Sequence, residues 1–168
     1  MIYEVPPREA SLSQGDILEE CPLVYWTAER DQAGTLHLES ASSNERVIVL
    51  TQACDLANTR TSKVQVAVVH ATKKLVADGV LKPQTIRDQV RRHCVFGWYF
   101  LPAADANPES IVDLHDIDTV PRELLAEQVR LGHRTCTICT PFREHLAQHF
   151  ATTYSRIALP DPYETLPE

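Results

Sequence analysis

Arg46-Val47-Ile48-Val49-Leu50-Thr51-Gln52 is the stretch that decides the fold class. Four consecutive apolar residues, three of them β-branched, leave no polar position for a solvent-facing side. A run of this kind reads as a central strand buried on both faces. The polar stretch Ala41-Ser42-Ser43-Asn44-Glu45 before it reads as a loop, and Ala53 to Ser62 after it is polar and turn-like. Beyond that turn, Val64 to Val69 supplies a second buried run.

Working outward, Gly15-Asp16-Ile17-Leu18 opens the strand-rich region. Leu23-Val24-Tyr25-Trp26 and Thr35-Leu36-His37-Leu38 flank a polar turn at Asp31 to Gly34, a hairpin pattern. Phe96 to Leu101 and Ser110 to Leu114 bring the total to about six strands. Helical signals are fewer. Lys82 to His93 carries Ile86 and Val90 on one face, with Pro83 in its first turn. Pro121 to Leu131 begins with Pro and stops at Gly132. Thr140 to Ile157 repeats Phe142, Leu146, Phe150 and Tyr154 every four residues, with Thr140 as cap, and Pro160 ends it. Many strands followed by late helices exclude a doubly wound parallel sheet. The expectation is a mainly β (α+β) fold, a small antiparallel barrel with peripheral helices and a C-terminal helix. It spans residues 1–160 as one domain, with 161–168 a loose tail.

The chain has 168 residues and a formal net charge of -7, which argues against holding long duplex DNA by bulk charge. Twelve of the 16 basic residues are Arg, the side chain suited to bidentate phosphate contacts, so a small nucleic-acid site stays open. No apolar run approaches the roughly 20 residues needed to span a bilayer, and the first residues lack the pattern of a signal peptide. The expectation is a cytoplasmic protein with no membrane partner, whose five cysteines are thiols or metal ligands rather than disulfides.

Three clusters bear chemistry. Thr51-Gln52-Ala53-Cys54-Asp55 sits where the buried strand leaves the core. Cys54 there is either a nucleophile activated by a histidine such as His70 and oriented by Asp55, or a buried space-filler beside a turn-capping Asp55. His133-Arg134-Thr135-Cys136-Thr137-Ile138-Cys139 reads as a loop between helices. His133, Cys136 and Cys139 have the local spacing of three zinc ligands; the alternative is two half-buried thiols under the last helix. Arg87, Arg91, Arg92 and His93 form a basic ridge that either meets RNA phosphates or is a solvated face. Trp26, Trp98, Tyr99 and Phe100 either stack bases or pack a core.

Gly15-Asp16-Ile17-Leu18, Arg46-Val47-Ile48-Val49-Leu50, Val66 to Thr72, and Leu101-Pro102 followed by Glu109 to Val120 resemble, in order and spacing, the MazF/PemK-like toxins of bacterial toxin–antitoxin systems. The likeness runs from about Gly15 to Leu131. It implies an SH3-like barrel, a homodimer, an antitoxin partner and metal-independent cleavage of single-stranded RNA, with no cofactor required. In that chemistry the 2′-hydroxyl attacks the adjacent phosphate. By resemblance Arg46 stabilises the developing charge and Thr72 donates its hydroxyl to a nonbridging oxygen; Gln52, where the buried strand leaves the core, is a candidate RNA contact. On this reading Arg46→Ala abolishes cleavage and leaves the melt nearly unchanged. The sequence departs from the pattern at Val47, where the family usually has Pro, and at Asp118, where it has Arg. A non-catalytic binding or regulatory module of the same fold in a mobile-element or phage-defence context, zinc-stabilised or not, is therefore the alternative.

Overall fold

The computed structural model describes residues 1–58, 61–105 and 107–155. The buried run is a central strand: Val47, Ile48, Val49 and Leu50 are each at most 4% exposed. It closes the long strand β3 (Leu36–Val49), which pairs with β2 (Asp16–Arg30) on one side and β4 (Lys63–Ala71) on the other. With β1 (Tyr3–Glu4), β5 (Trp98–Leu101), β6 (Ser110–Pro121) and β7 (Arg134–Ile138), these form one antiparallel sheet. Its order is β1-β7-β2-β3-β4-β6-β5.

The mainly β, α+β class is as expected, but the sheet is not closed into a barrel, SH3-like or otherwise. β1 and β5 stand at opposite ends of the strand order. Helices cover both faces in place of barrel closure. On one face Ile17, Ile48, Val112, Leu114, Cys136 and Ile138 pack beneath Leu146 of α5 (Phe142–Tyr154). On the other, Leu18, Val47, Val49, Val66 and Val68 meet Leu56 of α1 (Ala53–Ala57) and Leu125 and Val129 of α4 (Arg122–Leu131). A smaller third core joins Phe100 and Ile111 to Leu75 of α2 (Thr72–Ala77) and Ile86 of α3 (Pro83–Asp88). Each of these side chains is removed from water by a neighbour distant in sequence, which is what holds the layers together.

Several expected boundaries move. Ala41 to Glu45 is strand rather than loop, because its backbone pairs residue by residue with Cys21 to Tyr25. Ladder hydrogen bonds there override the polar composition. The single helix expected over Lys82–His93 ends at Asp88. Gln89 leaves helical geometry, Val90–Arg92 form a 3₁₀ turn, and His93 terminates it at φ +54°. Two buried anchors, Ile86 and Val90, are too few to carry a continuous three-turn helix. The segment expected as a cysteine-bearing loop is β7. α5 is shorter than Thr140–Ile157, and Thr140 bonds to Glu144 Oε1 rather than capping the backbone. The expected tail, 161–168, lies outside the described residues.

Candidate functional site: a basic groove beside Thr72

Strand β4 delivers Thr72 to the point where the backbone turns into α2. Its amide and hydroxyl both donate to the Glu109 carbonyl, at 3.0 and 2.6 Å, so the strand end is locked to the start of β6. Thr72, Lys73, Val76 and Ala77 form one wall of a groove of about 450 Å³; Pro83, Ile86, Arg87, Arg91 and Glu109 complete it. The apolar floor comes from the third core. The rim holds three cations within a chain that is acidic overall. Arg87 pairs with the exposed Asp88 at 3.1 Å, and the Arg91 guanidinium lies 5.4 Å from the centre of the Phe100 ring. At that distance the ring attracts the guanidinium, while Arg91 stays exposed and able to donate to an anion. Of the ridge read from sequence, Arg87 and Arg91 enter the groove; Arg92 is exposed but does not line it.

Arg46 does not join Thr72 in this lining. Its side chain is only 11% exposed. Nη2 donates to Asn107 Oδ1 at 2.6 Å and Nη1 to Ser110 Oγ at 3.0 Å. Nε lies 2.8 Å from Glu19 Oε1, an ion pair without the alignment of a hydrogen bond. Asn107 in turn donates to Tyr3 Oη and to the Pro102 carbonyl. Burial pushes the Tyr3 phenol far above its ordinary range, and the neighbouring Cys136 thiol adds to the rise. This network ties β1, β3, β6 and the segment before β6 together. Tyr3, Asn107 and Ser110 are polar participants with no local sequence signal. The expectation that Arg46 is an exposed residue of little structural weight is corrected by its burial and its three partners.

The remaining candidates sit apart. Gln52 and Asp55 are exposed, as is Cys54, so the buried space-filler reading of Cys54 does not hold. The Cys54 thiol points to Gln52 Oε1 at 3.6 Å, and His70 has its electrostatic partner in Asp116. Cys136 is fully buried in the sheet, and Cys139 lies just past the strand end, whose amide donates to Ile2. His133 precedes β7, Cys136 is buried within it and Cys139 follows it. Among the described residues, no three His, Cys, Asp or Glu side chains are grouped to hold a metal ion. Trp26 is exposed, Trp98 half-buried, and Tyr99 and Phe100 belong to the core.

A second cluster was not anticipated. His93 stacks on Tyr99 with ring centres 4.7 Å apart, meets His145 edge-on at 4.7 Å, and lies 5.7 Å from His149. Tyr99 Oη and His145 Nδ1 are 3.2 Å apart. Desolvation, then His145 and His149, holds His93 down to about 4. Desolvation likewise lowers His149, with His145 adding to the shift and hydrogen bonding to the Val95 and Trp98 backbone opposing it. His93 and His149 are therefore uncharged at neutral pH.

No family model matches the chain, and no curated protein matches it. Among the described residues, no helix is long and apolar enough to cross a membrane.

Proposed function

We propose that the chain is a binding module for single-stranded RNA, held by its phosphates along the groove of Thr72, Lys73, Arg87 and Arg91. One observation carries this reading: three cations converge on a single groove in a protein of net charge -7. Phosphates are the anions that a line of Lys and Arg recognises without base contacts. The apolar floor of Val76, Pro83 and Ile86 offers a surface on which a base or ribose can lie. A binding role is favoured over cleavage because Arg46, the resemblance's charge stabiliser, already satisfies Asn107, Ser110 and Glu19.

The test is anisotropy of a labelled single-stranded RNA across a salt series. Arg87→Ala and Arg91→Ala should each weaken binding and reduce the slope of log K against log salt by about 0.7. Binding that both variants leave unchanged, or no binding by the wild type, rejects the proposal.

A second reading keeps endoribonuclease activity in the manner of the MazF/PemK-like toxins, with Thr72 at the groove; its hydroxyl, which donates to the Glu109 carbonyl, would have to leave that acceptor to reach a phosphate oxygen. There the groove cations stabilise the charge that develops when the 2′-hydroxyl attacks, and an acidic antitoxin segment competes for the same cations. Discrete RNA fragments in excess EDTA, lost in Thr72→Val, would select it over binding alone.

A further inference from the structure

Glu109 is the one acidic residue in the lining of the groove, set among Lys73, Arg87 and Arg91. Its backbone is fixed, because the Thr72 amide and hydroxyl both donate to its carbonyl. Its side chain is not. The residue is exposed, and among the described residues its carboxylate joins no hydrogen bond and no ion pair. The neighbouring arginines are engaged elsewhere, Arg87 with Asp88 and Arg91 over the Phe100 ring. An unpaired carboxylate in a groove that holds phosphates repels the ligand's backbone. Phosphate binding by itself therefore gives Glu109 no work.

Resting on the RNA-binding reading above, we infer that Glu109 selects guanine as the base that lies on the floor of Val76, Pro83 and Ile86. A carboxylate only accepts hydrogen bonds, and its two oxygens suit a ligand edge with two adjacent donors. Guanine has such an edge in N1–H and the N2 amine. The other bases do not. Adenine and cytosine set a ring acceptor beside their exocyclic amine, and uracil flanks its N3–H with two carbonyl oxygens. Each of those edges turns a lone pair toward the carboxylate, which rejects it. The groove's cations suit the rest of the same base. Guanine O6 and N7 are adjacent acceptors of the kind that Arg or Lys takes, and Lys73, Arg87 and Arg91 are donors of that kind. Single-stranded RNA leaves the Watson–Crick edge open to be read in this way. The carboxylate thus weakens the hold on phosphate in general and strengthens it for one base.

The experiment is anisotropy, at one salt concentration, of short labelled oligouridines that carry a single central guanosine, inosine or adenosine, or none. The guanosine RNA should bind about tenfold more tightly than the all-uridine RNA, within what a bidentate pair discriminates. Inosine, which lacks only the N2 amine, should lose most of that gain. Glu109→Gln keeps the carbonyl that Thr72 holds and replaces an exposed side chain. It should erase the preference of guanosine over inosine and tighten all-uridine binding, since a charge that repels phosphate is gone. Equal affinities for all four RNAs, still weakened by Arg87→Ala, overturn the guanine inference and leave the phosphate reading standing. A preference for adenosine overturns it too, as does a guanosine preference that Glu109→Gln leaves intact. Equal weakening of every RNA in Glu109→Gln makes the residue structural and overturns its selective role. A wild type that binds none of the RNAs removes both readings.

Discussion

At the scale of single residues, Arg46 and Gly97 show how position decides a side chain's work. Arg46 is written into the sequence beside Glu45, where it reads as a surface cation; in the fold its guanidinium supplies two hydrogen bonds to buried partners 61 and 64 residues away. Arg46→Ala should therefore destabilise the protein by about 2–4 kcal/mol, because Asn107 and Ser110 lose a charged donor and Glu19 its counter-ion. For a chain of this size that lowers the melting temperature by roughly 5–15 °C. A melt within a degree of wild type would show the network to be ornamental. Gly97 adopts φ +83°, and a Cβ there would fall 1.8 Å from His115 Cε1. Since His115 is an exposed side chain that can swing aside, Gly97→Ala should cost about 1–2 kcal/mol, mostly from the left-handed backbone. Denaturation of Gly97→Ala in a His115→Ala background checks this: only a minor part of the loss should be recovered. Neither role was legible locally. Asn107 and Tyr3 are 104 residues apart, and no spacing rule connects them to Arg46.

At the scale of elements, the junction of α5 with the 3₁₀ turn is where pH should act. His93 and His149 hold their protons less readily in the fold than in the open chain, whose ordinary value is 6.5. A folded group with a lowered value stabilises above the unfolded value and loses that contribution as pH falls. The window runs from about pH 6.5 down toward 4. The rings facing His93 are Tyr99, His145 and His149, so a proton on His93 is opposed first by desolvation and then by the two neighbouring imidazoles. Melting temperature measured from pH 7.5 to 4.5 should fall, and His93→Asn, which keeps the left-handed turn accessible, should flatten the slope. An equal slope in both proteins would place the acid sensitivity elsewhere. The boundaries of α4 were legible, because Pro121 and Gly132 act through their own backbone geometry. β7 was not. Cys136 within it and Cys139 just past it suggested a ligand loop, while the interaction that makes it a strand is pairing with Asp16 to Leu18, near the other end of the sequence.

At the scale of the whole molecule, the apolar runs revealed which segments are strands but not how the sheet closes. Open and closed sheets bury the same runs, and the difference lies in whether helices or other strands cover them. Here α4 and α5 take the two faces and leave the strand ends β1 and β5 apart. The groove was half legible: Arg87 and Arg91 were visible as a ridge and Thr72 as a strand end, but the fold alone sets them on one depression. The place of β2 between β3 and β7 has a further consequence, for the birth of the chain. One neighbour follows β2 directly through the hairpin; the other emerges from the ribosome more than a hundred residues later, after every other strand. Until then the nascent sheet presents a raw backbone edge at β2, flanked by the apolar side chains that α5 will later shield. Folding is thus bound to wait on late, nonlocal closure, and the interval before it is when a chaperone has most to protect.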